Sequence, residues 1–226
     1  MNPEPIYLEG GARRTFAGAI EWPGWCRSAG SAEEAVVALV AYAPRYAAAV
    51  AVSGLLFEPH VDVAALHVAE RLVGDSGTEF GVPSQAPEAD QRGLDPAALE
   101  RQVALLEAAW STFDGVAARA VGHALRLGPR GGGRDLDRII EHVREADAGY
   151  LAQLGARAPR QQGIPGQTDW EALRARAVQT LRARTIGAPV VEADRVKRPW
   201  TPRYHVRRAT WHLLDHAWEI EDRMLP

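Results

Sequence analysis

Apolar residues in this 226-residue chain change their spacing part-way along its length. Before residue 81 they occur in short runs bounded by Gly or Pro, which is typical of β-strands separated by turns. After residue 93 they recur every three or four residues, which is the period of an amphipathic helix. Residues 81–93, GVPSQAPEADQRG, follow neither period and have the composition of a linker. We therefore predict an α+β protein with a small α/β domain over residues 1–85 and a four-helix bundle over residues 94–226.

The N-terminal part contains signals for strands and for a helix. Residues 5–9 and 14–21 are predicted to form a β-hairpin, because both are short, contain β-branched or aromatic residues and flank a pair of glycines. Ser31 suits an N-cap and is followed by acidic residues, which predicts a helix over residues 32–50. Alternating apolar residues over 61–72 favour a further strand. These elements together predict an α/β domain.

The second half of the chain has the pattern of a four-helix bundle. Asp95 followed by Pro96 suits a helix N-terminus, and apolar residues follow at spacings of four and three. A second helical stripe of apolar residues includes Tyr150. Thr168 opens a capping box for a third helix, and a fourth is predicted over residues 202–223. The long connection before the third helix favours a bundle with one crossover.

Charge and composition exclude several classes of protein. The 26 basic and 29 acidic residues give a formal net charge of −3, and scattered arginines argue against a nucleic-acid surface. No apolar run reaches the roughly 18 to 20 residues of a membrane span, and the N-terminus does not resemble a secretion signal, so we expect a cytoplasmic protein. Cys26 is the single cysteine, so a metal site must use His, Asp and Glu. No nucleophile elbow or Walker motif is present, which argues against triad hydrolases and nucleotide binding.

The predicted fourth helix carries a polar stripe beside its apolar face. The stripe consists of His205, His212, His216, Glu219 and Arg223. His212 and His216 have the i, i+4 spacing that lets two imidazoles bind one ion, and His142 on the second helix is the best third ligand. Three histidines leave an open position for water or substrate. His205 is an outer-shell candidate, Glu219 is a fourth ligand or a general base, and simple packing is the alternative for every histidine.

Two helical segments, IIEHVREADAGYLAQLG and YHVRRATWHLLDHAWEIEDR, resemble the DinB/YfiT-like superfamily of metal-binding four-helix bundles. The resemblance covers roughly residue 94 to the C-terminus and places the three metal ligands of that family on His142, His212 and His216. Many members carry a further histidine one turn later, where this chain has Glu219 and Glu221. The resemblance implies a metal-dependent enzyme that activates a small thiol or water for transfer to an electrophile, as thiol S-transferases do.

The same resemblance implies the cofactors and substrates of the chain. A divalent metal, Zn or Ni in the first place, and a low-molecular-weight thiol are expected, with a small molecule as substrate. Glu219 and Arg223 are catalytic candidates, and Arg208 or Arg223 would bind a carboxylate on the thiol or the substrate; a surface ion pair is the alternative for each arginine. The competing function is a non-catalytic stress-response or binding protein with a structural metal or none. A homodimer is a further expectation.

The segment RTFAGAIEWPGWCRSAGSAEEAVVALVAYAPRYA is similar to the HicB-like fold. This resemblance covers roughly residues 5–50 and implies strands, a Pro-Gly turn and a helix with an acidic first turn. HicB proteins are antitoxins, but this chain has no evident DNA-binding tail, so a scaffold or substrate-covering role is expected instead. An antitoxin-like role would predict co-purification with a small basic toxin.

Overall fold

The computed structural model describes residues 3–59, 62–127, 133–160, 169–188, 190, 196 and 198–225. The chain divides into two compact units, Met1–Arg92 and Gly93–Pro226. The described part contains a sheet in the first unit and helices in both, which confirms the α+β class. Thr168 and most of the predicted crossover lie outside the described residues.

The first unit is built on a mixed β-sheet. Strand β1 (Glu4–Gly10) pairs antiparallel with β2 (Thr15–Ala19), which confirms the predicted hairpin. Strand β3 (Cys26–Ala29) pairs antiparallel with β2, and β4 (Leu66–Val73) pairs parallel with β1. The order within the described residues is β3-β2-β1-β4. The sequence pattern did not predict β3, because its four residues show no apolar alternation.

The helix predicted over residues 32–50 is in fact two helices. Helix α1 (Ala32–Ala41) begins at the N-cap Ser31, and α2 (Ala43–Ala51) follows at an angle of 45°. Pro44 lies in the first turn of α2, and because proline has no backbone N–H it interrupts a continuous helix. No single helix in the described residues is long and apolar enough to cross a membrane, although α1 and α2 pass that test when taken together.

An aromatic cluster anchors these helices to the sheet side of the first unit. Trp25 and Tyr46 stack with their ring centroids 6.1 Å apart, and Phe57 packs edge-on to both. The indole Nε1 of Trp25 donates to the carbonyl of Leu39 at 2.8 Å, and the Tyr46 hydroxyl donates to the carbonyl of Pro23 at 2.9 Å. The polar edges of these buried rings are therefore satisfied by the backbone.

The segment predicted as a linker, residues 81–93, is an ordered part of the first unit up to Arg92. It follows a short helix, α3 (Ser76–Phe80), and contains a 3₁₀ turn over Glu88–Gln91. The buried carboxylate of Glu9 on β1 accepts hydrogen bonds from it. Polar contacts hold this segment, so the absence of an apolar period did not mean the absence of structure.

The described residues of the second unit form four helices that pack as a bundle. They are α4 (Pro96–Ala120), α5 (Leu136–Leu154), α6 (Trp170–Thr185) and α7 (Pro202–Arg223). Each begins at a side-chain cap, contributed in turn by Asp95, Asp135, Asp169 and Thr201. Helix α7 has the predicted bounds and packs mainly against α4 and α5. The α5–α7 contact brings together the predicted histidines.

Candidate metal centre

Helices α5 and α7 place three histidines around one point. His142 comes from α5, and His212 and His216 come from successive turns of α7. One nitrogen from each ring lies within 4.8 Å of the other two. The ring centroids are 5.0 Å apart for the two pairs that include His142 and 4.6 Å apart for the α7 pair. We call these three residues the histidine cluster; their convergence means that they could hold a metal ion.

The shortest distance between ring nitrogens in the histidine cluster is compatible with a metal ion that both rings bind. The Nε2 atoms of His142 and His212 lie 3.2 Å apart. Two imidazole nitrogens bound to one ion at about 2.1 Å are this far apart when the angle at the ion is about 100°, which lies between octahedral and tetrahedral values. A hydrogen bond between the two rings accounts for the same distance, but it leaves the third ring without a role. The donor set therefore fits a divalent metal.

His216 is held in a defined orientation by the carboxylate of Glu219. The Nδ1 atom of His216 lies 2.7 Å from Oε2 of Glu219. Hydrogen bonding to His216 holds the pKa of Glu219 below its ordinary value, so the carboxylate is ionised and Nδ1 carries the proton. Nε2 is then the nitrogen available for a ligand bond. Carboxylates behind ligating histidines orient the ring and raise its basicity.

Arg223 completes this outer layer. Its Nη1 donates to Oε1 of Glu219 at 2.5 Å, its Nε to the carbonyl of Arg126 at 2.9 Å and its Nη2 to the carbonyl of Arg134 at 2.8 Å. Gly133 adjoins this contact with a φ of 138°, and a Cβ there would lie 2.7 Å from Nη2 of Arg223. A glycine is therefore needed beside the guanidinium, and Arg223 is engaged on all three of its nitrogens.

Burial keeps the cluster in the protonation state that binds metals. His212 is 6% exposed, and burial lowers its pKa well below the ordinary value, with His216 and His142 adding to the effect. Burial also lowers the pKa of His142, with a further contribution from His216. Neutral imidazole is the ligating form of histidine. Both rings are therefore neutral near pH 7.

Aromatic side chains lie near His212, at the opposite end of the histidine cluster from Glu219. The ring of Tyr150 on α5 meets the ring of His212 edge-on, with centroids 5.6 Å apart, and packs on Trp200 at 5.3 Å. The Arg208 guanidinium lies 5.5 Å from the Tyr150 ring and 5.0 Å from the Trp211 ring. Its Nη2 donates to the Tyr150 hydroxyl at 3.4 Å. Sequence reasoning assigned Tyr150 to the apolar stripe; its position two turns after His142 was the available signal.

His205 lies away from the cluster. It is 2% exposed and hydrogen-bonds to the backbone of Tyr150, while burial lowers its pKa to about 4. It therefore stays neutral and ties α7 to α5 at the Tyr150 turn. Among the proposed site residues, the structure brings together the three histidines, surrounds them with Glu219 and Arg208, and leaves His205 in the core.

No model of a known protein family matches this chain, and neither curated proteins nor solved structures give a match. The likeness to DinB/YfiT-like bundles and to the HicB-like fold thus depends on the quoted residues alone. The site itself supports a narrower statement: three histidines converge, and they could hold a metal.

Proposed function

We propose that this protein is a metal-dependent enzyme of the DinB/YfiT-like kind that activates a small thiol or water for transfer to an electrophile. The observation that carries the proposal is the convergence of the three histidines, with the far nitrogen of His216 hydrogen-bonded to the carboxylate of Glu219. Such an arrangement is typical of metal centres.

The cluster supplies three protein ligands, the number that catalytic sites use when one position stays open. When bound there, a divalent ion lowers the pKa of a thiol or water in that position, so that the nucleophile is ionised near neutral pH. Zn or Ni suits the imidazole donors. Glu219 acts behind His216 and is not the general base, because both its oxygens already accept hydrogen bonds.

The roles of the two arginines differ. Arg223 holds Glu219 and two loop carbonyls, so it is a positioning residue. Arg208 lies beside Tyr150 at the other end of the cluster and is the better group for binding the thiol or the substrate. We further propose a cytoplasmic protein that acts on a small molecule and binds no nucleic acid, with a homodimer as its assembled form.

The test is cobalt spectroscopy, because Co²⁺ accepts the same imidazole ligands and reports its own coordination. Protein purified without a nickel column is stripped, loaded with one equivalent of Co²⁺ and mixed with 2-mercaptoethanol. We expect visible absorption from the bound ion and a new thiolate-to-cobalt band when the thiol is added. The loaded protein should then accelerate attack of the thiol on an aromatic chloride such as 1-chloro-2,4-dinitrobenzene.

The matched control is His123→Ala, which removes an exposed histidine of the same unit that lies outside the cluster. This variant should behave like wild type, whereas His212→Ala should lose both bands and the acceleration. A cobalt spectrum that is typical of a closed four-coordinate site and does not change when thiol is added would favour the alternative function, a binding protein with a structural metal. Absence of any cobalt spectrum in wild type would contradict the metal site itself.

A further inference from the structure

We propose that this chain dimerises through the outer edge of β4, which pairs antiparallel with β4 of a second copy and joins the two sheets into one. A homodimer is part of the proposed function, and this inference rests on it by naming the surface that forms it. The inference does not depend on the histidine cluster, because β4 belongs to the first unit.

The outer edge of β4 is open to a further strand. Strand β4 is the last in the order β3-β2-β1-β4, so β1 pairs with one side of it only. Within the described chain, the backbone of residues 67–73 forms hydrogen bonds with β1 and with no other segment. The other edge strand, β3, has only four residues, which limits pairing, whereas β4 has eight. The edge of β4 is therefore long enough to accept a partner strand.

A β-bulge divides β4 into two halves. In the pairing with β1, Ile6 lies opposite Val68 and Tyr7 lies opposite Glu70, so that Ala69 is an extra residue. Side chains alternate between the two faces along a regular strand. The extra residue shifts this alternation by one position, so residues 66 and 68 share a face of the sheet with residues 71 and 73.

This shift makes β4 complementary to a second copy of itself. Residues directly opposite each other in an antiparallel pair have their side chains on the same face. When a two-fold axis passes between Ala69 of the two strands, Leu66 lies opposite Val73 of the second copy and Val68 lies opposite its Arg71. Each of these pairings occurs twice, and every residue of β4 then faces a residue from the same side of the sheet.

The pairing would cover apolar side chains that one copy leaves exposed. Helix α1 packs on β2 and β3, and beside it a cavity of about 290 Å³ lies over β1 and β4. Leu66 lines this cavity together with Val63, which is 43% exposed. Val73 is 87% exposed. In the proposed register Val73 of one copy reaches Leu66 of the other, so that exposed apolar surface is removed from water at both ends of the pair.

The charged residues of β4 allow this register. Glu70 lies near the two-fold axis, but its Oε1 and Oε2 accept from the backbone N–H of Glu88 at 3.2 and 2.9 Å. These hydrogen bonds direct the carboxylate toward its own chain. The aliphatic part of Arg71 would pack beside Val68 of the second copy while the guanidinium stays in water. No two like charges lie directly opposite each other.

Sedimentation velocity of the full chain over a dilution series measures the dimer. Val73→Lys places an ammonium group opposite Leu66 at both ends of the pair, so the dissociation constant should rise about a hundredfold, about tenfold at each end. The variant should fold normally, because Val73 is 87% exposed. The matched control is Val52→Lys, which changes a 64% exposed valine of the same unit outside β4 and should leave the dimer unchanged.

Disulfide formation tests the register. Leu66→Cys and Val73→Cys proteins are mixed and oxidised with diamide, and the mixture should give a covalent dimer because the two positions lie opposite each other. Each variant alone should give none, since its two cysteines would be seven residues apart, roughly 23 Å along the strands. Cys26 is buried and should not react.

The two failures are distinguishable. A chain that is monomeric at every concentration would overturn both the homodimer and this surface. A wild-type dimer that Val73→Lys does not weaken, or a mixture of the cysteine variants that gives no covalent dimer, would overturn the β4 surface alone. The cobalt experiment on the histidine cluster is independent of each result.

Discussion

Two buried polar clusters, one in each unit, differ in how their hydrogen bonds are arranged. In the first unit, the carboxylate of Glu9 is 0% exposed, and each hydrogen bond that it makes with the described residues comes from a donor. The donors are the Thr78 hydroxyl at 2.5 Å, the Ser84 backbone N–H at 2.9 Å, the Ser84 hydroxyl at 3.3 Å and the Gln85 backbone N–H at 3.1 Å. In the second unit, the histidine cluster turns ring nitrogens toward one another.

This difference separates a structural cluster from a binding one. The Glu9 acceptors are matched by donors from the chain, so the cluster is complete and its role is to hold residues 81–92 against the sheet. In the histidine cluster, Glu219 takes the Nδ1 hydrogen of His216 on the outside, while the Nε2 atoms of His142 and His212 face each other on the inside. Converging nitrogen lone pairs repel one another unless a proton or a cation lies between them. The first cluster should therefore govern stability, and the second should govern metal affinity.

The largest expected effect is on metal binding. His212→Ala removes one of three ligands and should lower the affinity for Zn²⁺ or Co²⁺ about a thousandfold, since structural zinc sites contribute roughly 10–16 kcal/mol over four ligands. Competition with a chelating dye measures this affinity. The free energy of unfolding of metal-free protein should change little. If His212→Ala bound the metal as tightly as wild type, the histidine cluster would not be the metal site.

The next effect is on stability. Glu9→Ala leaves buried donors from Thr78, Ser84 and Gln85 without an acceptor and should lower the free energy of unfolding of the first unit by about 3 kcal/mol. Urea unfolding monitored by fluorescence and circular dichroism measures it. Glu79→Ala, which removes a partly exposed carboxylate that accepts from Nε and the backbone N–H of Arg13, should lower stability much less. Equal effects of the two variants would contradict the structural role of the Glu9 cluster.

A smaller effect tests the outer layer of the metal site. Glu219→Gln keeps the shape of the side chain but weakens the contact to His216, so metal affinity should fall about 10- to 100-fold. The same dye competition measures it. Glu221→Gln on the same helix, whose carboxylate pairs with Arg119 away from the cluster, is the matched control. Full affinity in Glu219→Gln would mean that the carboxylate does not orient the ring.

The smallest effect concerns the buried carboxylate of Asp147, which lacks a full set of hydrogen bonds and is not part of the histidine cluster. Asp147 is 4% exposed; Trp110 donates to its Oδ2 at 2.8 Å, and its Oδ1 has no hydrogen-bond partner among the described residues. Burial raises its pKa from 3.8 to about 7. The folded protein thus favours the protonated form, and this stability is present at low pH and is lost as the pH rises toward 7.

Asp147→Asn removes this dependence, because the amide is neutral and can still accept from Trp110. Its advantage over wild type in urea unfolding should grow by about 1–2 kcal/mol between pH 6 and pH 8. Measurement of both proteins at the two pH values checks this expectation. An advantage that is the same at both would show that Asp147 does not titrate in this range.

The sequence predicted best those features that depend on residues close together in the chain. The last helix and the pairing of His212 with His216 depend on the helical period, so both were predicted with the right residues. His142 follows from its position beside the apolar face of the second predicted helix, and the resemblance supports the same residue. The break at Pro44 was visible in the sequence but was underestimated, because the alanine-rich residues around it favour helix on both sides.

Other features depend on the tertiary register of separate elements. Glu9 lies far from Ser84 in sequence, and its burial could not be inferred from a strand pattern in which acidic residues usually face water. The meeting of Tyr150 with Arg208 likewise depends on how α5 lies against α7. A segment held by polar contacts has no periodic signal, so the sequence pattern predicts a linker over residues 81–93 where the structure has ordered chain up to Arg92.

The most direct test of the central claim is the metal content of protein purified without a nickel column, measured by elemental analysis for wild type, His212→Ala, His216→Ala and His123→Ala. The account predicts about one equivalent of a divalent metal in wild type and in His123→Ala, and almost none in the two cluster variants. Metal-free wild type that also fails to take up added Zn²⁺, Ni²⁺ or Co²⁺, or equal metal in all four proteins, would contradict it.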